Sequence, residues 1–313
     1  MDGETPEEGR RRAEDRPKLA DLVDMNDPEA ILAETIAVAR LIQPALDGGF
    51  VRHVFGDVRA LFDGVYPHYR RCNTDFHDFS HTTDCLLAMV RLMHGAWLSG
   101  LELSEKEVRL GLVTALMHDT GYIQKESETE GTGGSYTMIH VDRSIEFMER
   151  YFDLHGLSED DFHLCRRCIK CTGLDVHISA IRFVCKSQEF LGKMLGTADL
   201  LGQIAARTYL EKLLFLYREF AEAGIPGFAD EEDLLRKTAN FYEITKKRLK
   251  NELSGMNLHV RAHFAARHGV DADLYIEAMD NNIAYLGHVL AAYGKDYRPH
   301  LRRGGIVHKA AGR

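Results

Sequence analysis

A histidine and an aspartate stand in a segment that is otherwise almost entirely apolar, VRLGLVTALMHDTGY at residues 108–122. His118 and Asp119 therefore fall where a buried helix would hold hydrophobic residues. Burying an ionisable pair is costly unless the pair is hydrogen-bonded, neutralised or bound to a metal. Of these three, a bound metal would also create chemistry.

Two further segments carry side chains of the same kinds. FHDFSHTTDC contains His77, His81 and Asp84 at offsets of four and three, which place them within about 60° of one another on a helix surface. LGKMLGTADLLGQ contains Asp199 inside another mostly apolar helix. Together with the His-Asp pair, these side chains offer imidazole nitrogens and carboxylate oxygens, a ligand set that suits Zn, Mn, Fe or Mg. The lack of a thiolate disfavours a closed structural zinc site.

This arrangement resembles the HD-domain metal-dependent phosphohydrolases, whose pattern is a histidine, a His-Asp doublet and a distant aspartate. The matching residues here are His81, His118, Asp119 and Asp199. The resemblance implies an all-α HD/PDEase-like helical bundle and one or two divalent metal ions (Mn, Mg, Zn or Fe) as cofactors. A metal of this kind lowers the pKa of a bound water from about 15.7 to near 7. Asp119, as a shared ligand, would then be catalytic as well as metal-binding.

The segment around His77 is also similar to the HNxxHxxDV stretch of cyclic-nucleotide phosphodiesterases. There the first histidine protonates the leaving group and the second binds metal, which implies that His77 is the general acid. We predict that Asp84 or Asp78 orients its ring, and that Asp84 orients a ligand or braces the helix rather than binding metal itself. Asp78 stands where those enzymes have asparagine, and Tyr122 stands where they have a second histidine. With CIKCTGLDVHI and GTADLLGQ, which are similar to later stretches, the resemblance covers roughly residues 70–210.

The loop ESETEGTGGSYTMIHVDRS resembles bacterial HD proteins, some of which bind a second metal through a histidine at this place; the resemblance implies that His140 is a ligand. Residues 124–136 are rich in glycine, hydroxyl and acidic residues, a composition that fits either a lid over the site or a flexible surface connection. Three cations near these segments are predicted to bind phosphate: Lys125, Arg143 and Arg207.

A run of three cysteines, Cys165, Cys168 and Cys171, has the C-x2-C-x2-C spacing found in iron–sulfur proteins. The same offsets of three and six also describe one buried face of a helix, and free cysteine is a common core residue. Six cysteines in 313 residues are too few for a disulfide framework, so we predict reduced thiols.

The net charge of -9 argues against binding to a nucleic-acid polymer, which needs a basic face. No stretch approaches about 18 consecutive apolar residues, and the first residues lack the apolar core of a signal peptide. We therefore predict a cytoplasmic protein with no membrane partner.

Hydrophobic spacing predicts helices throughout and no strands. A first helix follows the N-cap Asp27 and ends at Gly48-Gly49, and further helices are predicted near residues 50–63, 78–99, 105–119, 138–155, 159–173, 178–201, 204–223, 231–253 and 271–293. The predicted organisation is a disordered tail (1–18), the HD/PDEase-like domain (19–204), a C-terminal helical extension packed on it (205–300) and a basic tail (301–313). The extension completes the bundle or forms a homodimer face.

The function predicted from these features is hydrolysis of a phosphate ester in a small phosphorylated or nucleotide-like substrate, with a cyclic nucleotide as one form of it. Two alternatives remain open. One is a di-iron oxygenase using the same ligands, and the other is a non-catalytic module that senses a nucleotide or acts as a scaffold.

Overall fold

A computed structural model describes residues 16–307 of the chain. Within that range the fold is all-α, as predicted, and contains eleven α-helices and no strand. In chain order the helices are α1 (Pro28–Ile42), α2 (Gly48–Asp63), α3 (Phe79–Leu98), α4 (Glu105–Met117), α5 (His140–Leu154), α6 (Glu159–Ile169), α7 (Lys186–Ala205), α8 (Tyr209–Glu222), α9 (Glu231–Asn251), α10 (Val260–His268) and α11 (Leu274–Tyr293).

Most of the two predicted tails lies outside the described residues. Residues 1–15 and 308–313 are not described. Residues 301–307 are described and lie against the helices: Leu301 is 1% exposed, and the Arg303 guanidinium donates to the side-chain oxygen of Asn282 at 3.0 Å. This part of the predicted basic tail is therefore packed.

The first helix begins as predicted but ends earlier. Asp27 accepts a hydrogen bond from the Glu29 amide and caps α1 at its N-terminus. The helix stops at Ile42 because Pro44 disfavours a helical conformation in the residue before it. The prediction that Gly48-Gly49 ends this helix is wrong, since Gly48 is the first residue of α2.

Helix α3 lies at the centre of the molecule and packs against α1, α4, α7 and α10. Most of its length is buried, including the polar residues His81, Thr82, Arg91 and His94. A central helix with this much buried polar surface needs partners from its neighbours. These neighbours include the helices that carry the predicted ligands.

Close approach between α3 and α7 depends on Gly202. A Cβ atom added at Gly202 would lie 2.9 Å from the backbone carbon of Asp84. The crossing point is therefore one helical turn beyond His81 on α3 and three residues beyond Asp199 on α7. Glycine at this position lets the two helices approach closely enough for those two side chains to meet.

The C-terminal helices pack on the helices that precede them. Asn282 of α11 donates hydrogen bonds to the carbonyl oxygens of Ile204 and Ala206, at 2.9 and 3.1 Å. Helix α10 was not predicted from the sequence, and α7 begins at Lys186 rather than near residue 178. Among the helices of the described residues, none is both long and apolar enough to cross a membrane.

The three closely spaced cysteines occupy one buried face of α6 and the turn after it. Cys165 and Cys171 are fully buried and Cys168 is 1% exposed. Burial raises the pKa of the Cys165 and Cys171 thiols to about 12, which keeps them protonated. The groups of potential metal ligands found in residues 16–307 contain no cysteine. This environment fits core packing better than a cluster site.

Candidate metal centre

The four predicted ligands converge from three helices. His81 lies in the first turn of α3, His118 and Asp119 follow the last residue of α4, and Asp199 lies in α7. The Nε2 atom of His81 is 3.2 Å from Asp119 Oδ2 and 3.1 Å from Asp199 Oδ1. The same atom is 3.3 Å from His118 Nε2. His81, His118 and Asp119 thus form a group whose ligand atoms all lie within 4.8 Å of one another, and Asp199 Oδ1 lies 3.1 and 3.7 Å from the Nε2 atoms of His81 and His118.

Local contacts fix the orientation of His118. Its Nδ1 atom donates to the carbonyl oxygen of Ala115 at 2.8 Å, which leaves Nε2 directed at the other ligands. A histidine ligand is commonly held in this way, through a hydrogen bond at its second nitrogen.

Asp119 supplies the observation that bears most directly on metal binding. Its Oδ2 atom is buried and accepts no hydrogen bond, although His81 Nε2 and His118 Nε2 lie within 3.4 Å of it. Buried carboxylate oxygens without a partner are rare and costly. A divalent cation shared by these atoms would compensate the charge, so the residues present fit a metal.

The charges of the centre agree with this interpretation. Burial opposes ionisation of Asp119, but His118 and His81 hold the pKa of its carboxyl well below the usual range. The pKa of the Asp199 carboxyl is likewise lowered against burial, by the nearby imidazoles of His118 and His81. Against burial, Asp119 and Asp199 raise the pKa of His81 to about 9. Binding of a cation would therefore meet ionised carboxylates and displace protons from the imidazoles.

His140, the first residue of α5, lies on the other side of Asp119. Its Nε2 atom is 3.8 Å from Asp119 Oδ1, and its Nδ1 donates to the carbonyl of Thr137 at 2.6 Å. Gly121 makes this possible, because a Cβ atom there would lie 2.0 Å from the carbonyl oxygen of His140. Asp119 thus directs one oxygen at His81 and His118 and the other at His140, which suits a carboxylate that bridges two cations.

His77 lies beside this group rather than within it. Its Nδ1 atom donates to Glu219 Oε2 at 2.6 Å, and its Nε2 is 3.5 Å from the Tyr122 hydroxyl. The Tyr122 ring stacks between two imidazole rings, and its centroid lies 4.2 Å from that of His77 and 4.7 Å from that of His140. Tyr122 therefore fills the space between the predicted proton donor and the predicted second-metal ligand.

The carboxylate that holds His77 differs from the one predicted. Asp78 caps α3 by accepting from the His81 amide, and it pairs with Lys212 at 2.8 Å. Burial raises the pKa of Asp84 to about 7 although Lys212 and His81 oppose the shift. Among the described residues, no hydrogen bond joins Asp84 to His77 or to a ligand. Glu219, which no sequence pattern had singled out, takes the orienting position.

The three cations predicted to bind phosphate are placed elsewhere. Lys125 pairs with Glu146 at 3.1 Å, and Arg143 pairs with Glu128 at 2.8 Å. Arg207 is exposed. None of the three lines the large cavity described below. Their placement gives no support to direct substrate contact.

Residues 124–136 are tied to the surrounding structure. Arg143 binds Glu128, the Thr132 amide and hydroxyl donate to the Glu222 carboxylate, and the Gly133 amide donates to Asn73 at 2.8 Å. The segment is therefore anchored at several points, in contrast to the flexible connection that its composition also fitted.

A cavity of about 1180 Å³ opens onto the candidate centre. Asp119, Asp199, His77, Tyr122 and His140 contribute to its wall. Four cations line the same cavity and have no acidic partner among residues 16–307; Arg167 donates to the His163 carbonyl, whereas the other three, Arg166, Lys170 and Arg182, make no side-chain hydrogen bond within that range. No sequence pattern distinguishes these cations, because most surface lysines and arginines look alike in sequence. They make the cavity suitable for an anionic ligand.

A second group of potential ligands lies at the surface between α2 and α5. His53 Nε2 and His155 Nε2 are 3.3 and 3.9 Å from Asp57 Oδ2. That oxygen accepts a hydrogen bond from the Tyr151 hydroxyl at 2.6 Å, so it is already satisfied. His53 is exposed. This group lacks the buried, unpaired oxygen that distinguishes the central site.

Comparisons with known proteins leave the activity open. Residues 124–262 match the Npun_R2479-like family model. The matched segment contains His140, Asp199 and Glu219 but not His81, His118 or Asp119, so the centre is assembled from inside and outside it. The description of that family names no activity. Searches of curated proteins and of solved structures found no match.

Proposed function

We propose that the protein is a metal-dependent phosphohydrolase that cleaves a phosphate ester. The observation that carries the proposal is the meeting of His118, Asp119 and Asp199 at the Nε2 atom of His81, together with a buried Asp119 oxygen that accepts no hydrogen bond. This ligand set opens onto a cavity that also contains unpaired cations. The sequence resemblance to HD-domain phosphohydrolases supports the same reaction class.

Each side chain has a definite part in this proposal. His81, His118, Asp119 and Asp199 would hold one divalent cation, and Asp119 with His140 would contribute to a second. When bound, such cations activate water as a nucleophile and neutralise charge on the phosphate. Asp119 and Asp199 enter the site already ionised, so the chain supplies the negative charge that the cations require.

His77 would protonate the leaving oxygen. Its Nδ1 is occupied by Glu219, so Nε2 is the atom available to the substrate. Stacking on Tyr122 fixes the plane of the ring. The two contacts together hold a proton donor at the cavity wall beside the ligands.

Arg166, Lys170 and Arg182 would attract and orient the anionic substrate. Because they line the same cavity as Asp119 and Asp199, the phosphate can reach the centre while remaining near positive charge. A nucleotide-like substrate, including a cyclic nucleotide, stays a prediction from the sequence resemblance.

The test is hydrolysis of p-nitrophenyl phosphate and bis-p-nitrophenyl phosphate with Mn, Mg, Zn or Fe added in turn. Asp199→Ala should lose more activity than the about 10- to 100-fold typical of residues that only support a ligand. The exposed Asp296 offers a control, and Asp296→Ala should keep wild-type rates. Activity on both esters that does not depend on metal, or that survives Asp199→Ala, would contradict the proposal.

A further inference from the structure

We propose that the substrate is amphiphilic, a phosphate ester whose organic part is a large hydrocarbon group. This inference rests on the proposed function for the position of the phosphate. The hydrocarbon group would bind in the part of the cavity that the candidate metal centre and the cations do not occupy.

One wall of the cavity is an apolar face of α8. Its lining residues are Tyr209, Leu213, Leu216 and Phe220, at offsets of four, three and four, which place them on one side of the helix. Phe220 directly follows Glu219, the residue that holds His77. The apolar wall therefore belongs to the same helix that positions the predicted proton donor.

Helix α9 and the segment that joins it to α8 continue this wall. Leu234, Phe241 and Ile244 line the cavity from α9, and Phe228 lines it from the connecting segment. The ring centroids of Phe228 and Phe220 are 5.6 Å apart. The two helices and their connection thus contribute apolar side chains to the same wall.

Polar groups on the α9 part of this wall are mostly engaged. The Thr238 hydroxyl donates to the Leu234 carbonyl at 2.9 Å, and Lys237 pairs with Asp233 at 2.6 Å. Asn240 is the remaining polar residue that lines the cavity from α9. A nucleobase needs several donors and acceptors along its edges, whereas a hydrocarbon group needs none. The wall therefore favours hydrocarbon.

Large apolar side chains are also exposed at this cavity. Met138 is 70% exposed, Leu174 56%, Ile244 54% and Ile139 50%, and all four line it. They come from three separate segments of the chain. Clustering of exposed hydrophobic residues around one cavity usually marks a binding site for an apolar group.

The charged region and the apolar wall of the cavity together indicate the class of ligand. Ionic recognition by the centre and by Arg166, Lys170 and Arg182 fits the phosphate, and the α8–α9 wall fits a long apolar group attached to it. The volume of about 1180 Å³ exceeds the range usual for small-molecule sites, which leaves room for both parts.

The experiment compares butyl, hexyl, octyl and decyl phosphate, each kept below its critical micelle concentration, with adenosine monophosphate. Phosphate release is measured in the presence of the metal that supports turnover. We expect kcat/KM to rise about fourfold for each added methylene, the factor that corresponds to about 0.8 kcal/mol of burial. A flat series, or a preference for the nucleotide over decyl phosphate, would overturn the inference while leaving the hydrolase intact.

Two variants test whether the rise in kcat/KM with chain length depends on the apolar wall. Ile244→Asp places a charge on the apolar wall and should reduce the gain per methylene to less than about twofold. Leu258→Asp changes an equally apolar side chain that is 71% exposed and does not line the cavity, and its series should match the wild type. An equal gain in kcat/KM per methylene in the two variants would contradict the proposal that this wall binds the hydrocarbon group.

Binding of butyl- and decylphosphonate, measured by calorimetry on the full-length wild type, separates this inference from the proposed reaction. Tighter binding of the decyl compound supports the apolar site even if no ester is hydrolysed. Equal binding of the two phosphonates would overturn it, whether or not the esters are hydrolysed.

Discussion

Glu219 of α8 accepts a hydrogen bond from His77 Nδ1 at 2.6 Å, and its other oxygen accepts from the Phe76 amide at 2.9 Å. One buried carboxylate therefore fixes both the ring of His77 and the backbone that precedes it. The contact joins two parts of the chain that are 142 residues apart in sequence. Positioning of the predicted proton donor depends on α8, which carries no ligand of the centre.

Replacing Glu219 should impair catalysis without removing metal. Glu219→Gln keeps the shape of the side chain but loses one acceptor, so His77 is no longer held by a carboxylate. We expect kcat to fall about 10- to 100-fold, as is typical when the partner of a catalytic-site histidine is changed. Metal content should match the wild type.

A control is available one turn further along the same helix. Glu222 binds Thr132 and does not contact His77, so Glu222→Gln should retain the wild-type kcat. An equal loss of kcat in both variants would indicate a general effect of α8, and no loss in Glu219→Gln would exclude the positioning role.

We expect the close packing of α3 against α7 to depend on Gly202. In Gly202→Ala the new methyl group meets the Asp84 backbone, and overpacking of this kind costs about 1–3 kcal/mol. Separating the helices should also weaken metal binding, since His81 and Asp199 move apart. Urea unfolding and metal titration measure the two effects.

Gly287→Ala is the matched control for Gly202→Ala. It lies inside α11, is exposed, and has nothing within 4 Å of an added Cβ atom. Gly287→Ala should therefore stabilise the protein by up to about 1 kcal/mol through helix propensity. The interpretation of the α3–α7 contact fails if Gly202→Ala is as stable as Gly287→Ala.

Acid sensitivity of the fold is predicted at a second buried histidine pair, distant from the ligands in sequence. His263 Nδ1 lies 3.0 Å from His94 Nδ1. Burial, with Arg91, His94, His268 and Arg267 nearby, lowers the pKa of His263 to about 2. Below the unfolded pKa of about 6.5, the unfolded chain binds a proton that the folded chain does not. Stability is thus lost as pH falls from about 6.5, by up to about 1.4 kcal/mol per pH unit.

The contribution of His263 to the loss of stability at low pH can be isolated with His263→Gln. Unfolding by urea is followed from about pH 7.5 to about pH 5 in the presence of chelator, so that the ligand histidines contribute equally to both proteins. We expect a shallower loss of stability in the variant. Identical slopes would show that His263 is not a source of the acid sensitivity.

Much of the helical structure and the four candidate ligands could be predicted from the sequence because their signals are local. Apolar spacing identifies the helices, and His118, Asp119 and Asp199 stand out as charged residues in apolar surroundings. Their convergence could be expected only through a family resemblance. The distances that bring them together depend on contacts such as the one at Gly202.

The features that were missed depend on tertiary structure. Glu219 is one of many charged residues in an amphipathic helix, and only the packing of α8 buries it against His77. The helix α10 is short and has only three buried residues, Val260, His263 and Phe264, so its apolar pattern is weak. Gly48 follows Asp47, whose capping of α2 outweighs the tendency of glycine to end a helix.

Metal content of protein purified without chelator, determined by elemental analysis, is the most direct test of the central claim. The comparison includes His118→Ala, at the buried centre, and His53→Ala, at the surface group between α2 and α5. We expect divalent metal in the wild type and in His53→Ala, and its loss in His118→Ala together with hydrolysis of the p-nitrophenyl esters. A wild type that neither holds nor takes up metal, or a His118→Ala protein with undiminished metal, would contradict the account.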